Sequence, residues 1–470
     1  MLTEMRGMKY DVAIIGAGPG GYVAAIRMAQ LGMNVALIEE RDLGGVCLNR
    51  GCIPTKALYS ATKLIERADS ATSMGISFAA PSVDLPVLAE WKNGVVSRLV
   101  NGVASLLKAN KVTVISARGT ITGEGRIDLS TGETLEAERI VVATGSSPIE
   151  IPGFSFEDPR VWSSDDALEL TELPERLVVI GGGVIGLEIA TIYNRLGSEV
   201  TILEMMPEIL PGIDVDRRTI ATLKRAIKAQ GITIQTDTAA TSLDETASGA
   251  MVHTKNSDTL PASRVLLAVG RRPNSRGIGL ENVGIEPDRR GFIEVDENLQ
   301  TSTETVYAIG DIVAGPMLAH RASNDALVLA EYLVRGTDAV PGGRERVIPQ
   351  AIFTDPEIAS VGLSEKKAKE EGYNVIVGRF PYAALGKALG MNEPDGFFQV
   401  VAEADSHCLI GTQIIGADAS SLIAEAAMAV QNSLPLEAIA DGVHAHPTLP
   451  EGLKEAAEAA LGRAIHAVNR

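Results

Sequence analysis

The chain has 470 residues, too many for one ordinary core, and its length suggests about three domains. It is 45% hydrophobic and 22% charged, and a net charge of −18 argues against nucleic acid or an anionic membrane as partner while leaving room for a basic protein. The longest charge-free run, Val12 to Ile26, is glycine-rich and shorter than the ~18 residues of a membrane span. Met1 to Asp11 reads as too short and too mixed for a secretion signal or transit peptide, so a cytoplasmic protein is expected.

The first predicted element is the apolar strand Val12-Ala-Ile-Ile, which runs into Gly16-x-Gly18-x-x-Gly21 and a helix. The first glycine permits the tight turn. The second lets backbone approach a pyrophosphate at the helix N-terminus, and the third lets helix and strand pack closely. Glu39, 23 residues past Gly16, is placed to bond a ribose hydroxyl.

Next come Cys47 and Cys52, two of only three cysteines, in a glycine-flanked loop. Pro54 fits the first turn of a helix, which puts Cys52 at its N-terminus, where the positive helix end lowers a thiol pKa. That spacing in a cytosolic chain suggests catalysis; an inert disulfide or two buried thiols are the alternatives.

The strand–turn–helix pattern recurs 165 residues later as Val178-Val-Ile and Gly181-x-Gly183-x-x-Gly186, with Glu204 in the place of Glu39. Two dinucleotides are therefore expected. Glu204 would accept a 2′-hydroxyl and repel a 2′-phosphate, which selects NAD over NADP. Each unit has a later strand ending in a small-residue turn, Ile140 to Gly145 and Val265 to Gly270. After Arg271-Arg-Pro-Asn274 the chain reads as loop and short strands to Asp311. A final segment from Val347 mixes strands with Ala-rich helices. Cys408 reads as a buried apolar thiol. The histidines show no metal-ligand spacing, so no metal is expected.

The fold expected is α/β: two Rossmann-like dinucleotide-binding domains plus an α+β C-terminal domain. The boundaries expected are 1–147, 148–272, a return to the first domain over 273–346, and 347–470. Cys47 and Cys52 lie near one end of the chain and His446 and Glu451 near the other. That separation, with the apolar runs of the last segment, predicts a homodimer with each site built from two chains.

The cysteine stretch Gly44 to Lys56 resembles the pyridine nucleotide–disulfide oxidoreductases, and the resemblance spans nearly the whole chain. Thr144-Gly145 resembles a flavin-domain turn of that family. Val306 to Asp311 resembles its second flavin fingerprint, in which the aspartate bonds the ribityl chain. Gly315-Pro-Met-Leu-Ala319-His320 and His444-Ala-His446-Pro-Thr-Leu-Pro-Glu451 resemble the members that oxidise dihydrolipoamide.

The resemblance implies FAD in the first unit, held by Gly16, Gly18, Gly21, Glu39, Lys56, Thr144, Gly145, Asp311 and Ala319. It implies NAD in the second, held by Gly181, Gly183, Gly186, Glu204 and Gly270. It further implies a Cys47–Cys52 disulfide, with Cys52 facing the flavin and Cys47 exchanging with substrate. Lys56 and Glu188 become an ion pair beside the flavin, and His446 a base oriented by Glu451. The implied partner is a lipoyl domain on an acyltransferase core, or the lipoyl protein of glycine cleavage. Pro450, Val46 and Arg50 depart from common family residues, and Arg50 could influence the disulfide's potential. Two rival readings are an NADPH-driven reductase, opposed by Glu204, and a non-catalytic scaffold, opposed by the intact set of Cys47, Cys52, His446 and Glu451.

Overall fold

The computed structural model describes residues 9–246, 249–336 and 346–469; Met1–Met8 of the N-terminal stretch read above lie outside it. In the first unit the strands Lys9–Ile15, Val35–Glu39 and Thr113–Ser116 lie side by side in parallel. Thr134–Val142 pairs with the other edge of Lys9–Ile15 and carries Val306–Ala308 in parallel, which is how the chain returns to this sheet. Val12 to Ile15 are buried without alternation, as expected for a parallel strand covered on both faces.

The second unit repeats the plan. Its parallel sheet runs in the order Thr233–Gln235, Glu199–Leu203, Arg176–Ile180, Arg264–Leu267, Val161–Trp162. Both glycine turns behave alike. A Cβ on Gly21 would sit 1.8 Å from the Gly16 carbonyl oxygen, and one on Gly186 would sit 2.1 Å from that of Gly181, so each helix packs against its turn at a distance only glycine allows. Gly18 and Gly183 face open space, as a backbone that must approach a ligand requires.

The last segment forms an antiparallel sheet in the order Gln350–Ile352, Glu357–Gly362, Leu409–Gly416, Phe397–Glu403, Val375–Pro381. The helices Ala419–Gln431 and Glu451–Ala460 share its hydrophobic core through Ile423, Ala426, Leu453 and Ala456. Gly452 lets the second helix close onto the sheet: a Cβ there would sit 2.3 Å from the Phe398 ring. Among the described residues no helix is long and apolar enough to cross a membrane.

Two expectations need correction. Cys47 does not lie in a loop. Cys47 is in the short helix Gly45–Arg50, and Cys52 opens the helix Cys52–Ser70 after a break at Gly51 (φ −143°, ψ −109°). Cys408 is half-buried rather than buried. His407 takes a left-handed conformation (φ +58°), the following strand starts only at Leu409, and the Cys408 thiol donates to the Ser433 carbonyl at 3.3 Å.

Candidate active site

A cavity of about 1,550 Å³ runs between the first glycine turn, the two cysteine helices and the helix Val184–Leu196. Gly16, Gly18, Glu39, Cys47, Cys52, Lys56, Thr144, Gly145, Glu188, Asp311 and Ala319 all line it. It is larger than the ~300–1,000 Å³ of ordinary ligand pockets, as an extended dinucleotide needs.

Cys47 and Cys52 are both free thiols that interact with each other. The neighbouring Cys47 thiol and the positive charge of Lys56 push Cys52 down to about 7, against the effect of burial. The interaction with Cys52 and burial push Cys47 far up. In the reduced protein one thiolate per chain should therefore appear as pH climbs through about 7, seen as a rise in ultraviolet thiolate absorbance. Cys52→Ser should abolish that step; a step that survives the substitution would reassign it.

Lys56 lies one turn into the helix that Cys52 opens, and its Nζ donates to both oxygens of Glu188 at 2.8 and 3.0 Å. Glu188 is 4% exposed and also accepts the Phe353 N–H at 2.9 Å. Asp311 accepts from the Ser146 hydroxyl at 2.7 Å, and Arg271 donates to that hydroxyl oxygen at 2.8 Å. Burial lowers the Arg271 pKa, while Asp311, Asp165 and Cys52 counter it. Thr144 is tied twice to Asn274, its hydroxyl donating to the Asn274 carbonyl and its carbonyl accepting from Asn274 Nδ2, both at 2.9 Å.

The two motif acids are used identically. Glu39 accepts from Ala17 N–H (2.7 Å) and Arg41 N–H (2.8 Å), and Glu204 from Gly182 N–H and Met206 N–H (2.7 Å each). Each carboxylate thus braces its own glycine turn. Gly181, Gly183, Gly186, Glu204 and Gly270 do not line the large cavity; Val184, Ile185 and Glu188, further along the same helix, do.

His446 and Glu451 stand apart from this cavity. Glu451 Oε1 bonds His446 Nδ1 at 2.9 Å, and Oε2 accepts the Thr448 N–H at 2.7 Å. Although burial opposes it, these bonds hold the Glu451 carboxyl below its usual range. The His446 side chain is 78% exposed. His444 is instead drawn inward, its Nε2 3.0 Å from Glu425. Sequence reading missed Phe353, Arg271, Ser146 and Asn274. Arg271-Arg-Pro-Asn274 carries no role in the sequence expectations.

The family model described as pyridine nucleotide-disulphide oxidoreductase matches residues 10–326, and that for its dimerisation domain matches residues 348–457. The chain belongs to the pyridine nucleotide–disulphide oxidoreductase family. It is 45% identical to dihydrolipoyl dehydrogenase of Haloferax volcanii, over 98% of both chains. It is 44% identical to dihydrolipoyl dehydrogenase of Thermus scotoductus, over 98% of this chain and 99% of the relative. Among solved structures it is similar to LpdA from Mycobacterium tuberculosis (TM-score 0.88, 27% identity, 96% of this chain and 99% of that one). It is also similar to the HOCl-induced flavoprotein disulfide reductase RclA from Escherichia coli (TM-score 0.86, 27% identity, 96% and 99%). The residues 348–457 place a dimerisation domain at the C-terminal end, as family membership and the position of His446 and Glu451 both suggest.

Proposed function

We propose that this chain is a dihydrolipoyl dehydrogenase, oxidising protein-bound dihydrolipoamide to lipoamide and reducing NAD⁺ to NADH. The observation that carries it is that Cys47, Cys52 and the Lys56–Glu188 pair line the same cavity as a glycine turn open to a dinucleotide. The domains run 1–147 and 273–346 for FAD, 148–272 for NAD and 347–470 for dimerisation, a division that the separate sheets support.

The first cradle fits FAD: Gly18 leaves space at the helix N-terminus, and Gly16, Gly21, Glu39, Lys56, Thr144, Gly145, Asp311 and Ala319 complete it. The second glycine turn, with Glu204 and Gly270, fits NAD. Bound FAD supplies an acceptor for the dithiol's electron pair and a hydride donor for NAD⁺.

The chain's own residues do the thiol chemistry. His446 takes the proton of one dihydrolipoamide thiol, and the resulting thiolate attacks Cys47 in the Cys47–Cys52 disulfide. The Cys47–Cys52 bond breaks and Cys52 leaves as a thiolate, favoured by the helix N-terminus and by Lys56. The second substrate thiol attacks the mixed disulfide, releasing lipoamide and Cys47. Two electrons have then moved from substrate to the cysteine pair. Glu451 holds the His446 ring so that Nδ1 is bonded and Nε2 is left for the proton.

The partner is a lipoyl domain on an acyltransferase core or a glycine-cleavage lipoyl protein, and the location is the cytoplasm. The test is direct: the purified protein should be yellow, and its visible absorption should bleach with dihydrolipoamide and recover with NAD⁺. A colourless protein, or a yellow one inert to dihydrolipoamide, overturns the proposal and returns the scaffold reading.

The Glu204 carboxylate also decides the nucleotide. The preference of kcat/KM for NAD⁺ over NADP⁺ should be about a hundredfold or more, the scale of one uncompensated like-charge contact. Glu204→Arg should narrow it. Comparable kcat/KM for the two nucleotides in the unaltered protein rules the assignment out.

A further inference from the structure

The Lys56–Glu188 pair is finished by a segment from elsewhere in the chain. Phe353, Thr354 and Asp355 follow the first strand of the dimerisation domain and lie against two helices, Cys52–Ser70 and Val184–Leu196. Phe353 donates its N–H to Glu188 Oε1 at 2.9 Å. Its ring lies under the Lys56 ammonium, 4.5 Å from Nζ to the centroid. The same ring meets Tyr59 edge-on (5.9 Å, 80°), and the Tyr59 hydroxyl donates to the Thr354 carbonyl at 2.8 Å.

Asp355 anchors the segment at both helices. Lys63 Nζ lies 2.9 Å from its carboxylate, and Arg195 pairs with the same carboxylate. The Asp355 carbonyl accepts from Gln230 Nε2 at 2.6 Å. Arg195 is nearly buried, and its guanidinium carbon sits 4.9 Å from the Tyr59 ring centroid. Asp355 is the only anion paired with it among the described residues.

We propose that the Phe353–Asp355 segment is the positioning element of the Lys56–Glu188 pair, so that the dimerisation domain directly sets the geometry of the redox centre. The inference rests on the reading that this pair acts beside the flavin. Glu188 accepts three hydrogen bonds, two from the Lys56 ammonium and one from the Phe353 backbone. Removing the foreign side leaves the ammonium with no aromatic face and the helices with no common anion. The helix carrying Cys52 and the helix carrying Glu188 are then tied by the ion pair without its support. Arg195, Lys63 and Tyr59 serve as clamps and touch no reacting atom.

Phe353→Leu keeps the N–H donor and removes the ring. Two readouts are taken on the flavin-loaded protein. The first is the rate of flavin bleaching by NADH in the stopped flow. The second is the pH midpoint of Cys52 ionisation, followed through the visible flavin band in a Cys47→Ser background, with Lys56, Glu188 and Arg271 as the neighbouring charges. Lys56→Met is the reference, and its midpoint should rise by roughly one pH unit, the low end for losing a nearby opposite charge. Phe353→Leu should bleach about fivefold more slowly, within the range expected for loss of a cation–π contact, and its midpoint should move upward. Asp355→Asn should do the same; if it does not fold, Phe353→Leu decides. A folded Phe353→Leu matching the unaltered protein in both readouts, while Lys56→Met departs from it, overturns the inference and leaves the proposed function standing. If Lys56→Met also matches, the reading of the ion pair itself has failed.

Discussion

A Cys52→Ser chain will bind FAD and still exchange hydride with NADH, yet its turnover of dihydrolipoamide will fall by roughly a thousandfold or more, the scale on which a disabled nucleophile–leaving-group pair fails. The two halves of this expectation have separate physical causes. The proposed flavin cradle is the Gly16–Gly21 turn, Glu39, Thr144, Gly145 and Asp311, which are braced by backbone and by Ser146, Asn274 and Arg271. None of these bonds uses the Cys52 sulfur. Disulfide exchange, by contrast, needs Cys52 to be the sulfur that departs. The structure prepares it to depart as a thiolate: the Cys47 thiol and the charge of Lys56 bring it down to about 7, and it opens a helix of 19 residues. A serine oxygen cannot form the disulfide, and as an alkoxide it would be a far poorer leaving group. The measurement is a visible spectrum for flavin content, a stopped-flow trace with NADH, and steady-state turnover with dihydrolipoamide. Near-normal turnover by the variant would show the cysteine assignment to be wrong. Loss of flavin would show that Cys52 also has a place in the cradle.

The fold was legible wherever its determinants are local. The two glycine turns, their strands and their acids lie within about 25 residues each, and the repeat carries the same spacing twice. Cys52 at a helix start was legible from Pro54 for the same reason. The helix around Cys47 was not, because Gly44, Gly45 and Gly51 read as loop residues; the first two take positive φ and start the helix instead of breaking it. The ion pair of Lys56 with Glu188 spans 132 positions and entered through the family resemblance. Phe353, Asp355 and Arg195 carried no local signal at all. Each is an unremarkable residue in its own segment, and each acquires a role only when three units are packed together. Cys408 was misread because strand-like flanks hid the left-handed turn at His407.

Mixing two inactive chains should restore activity. Cys47→Ser chains lack the exchanging sulfur, and His446→Ala chains lack the base. Under the proposed roles the two groups of one site come from different chains. Cys47 lines the large cavity, and His446 and Glu451 do not. The His446 side chain is 78% exposed, and its Nδ1 is already bonded to Glu451. A base must come within ~3 Å of the proton it takes, and in the shared site that we propose a second chain brings it there. His446 and Glu451 lie inside the dimerisation domain, residues 348–457. Apolar side chains are left exposed in the same C-terminal segment: Val443 is 99% exposed, Ile465 77% and Met428 66%. A two-fold contact is isologous, so a chain that lends its histidine to a neighbour receives one in return. After mild denaturation and reassociation of an equal mixture, about half the dimers should be mixed. Each of those carries one site with both lesions and one with neither, so activity should return to about a quarter of the unaltered level under two-fold symmetry. Exchange of subunits is checked by mass-tagging one chain. If tagged heterodimers form and the mixture stays inactive, each site lies within a single chain. An active monomer in sedimentation would be equally fatal to the shared site.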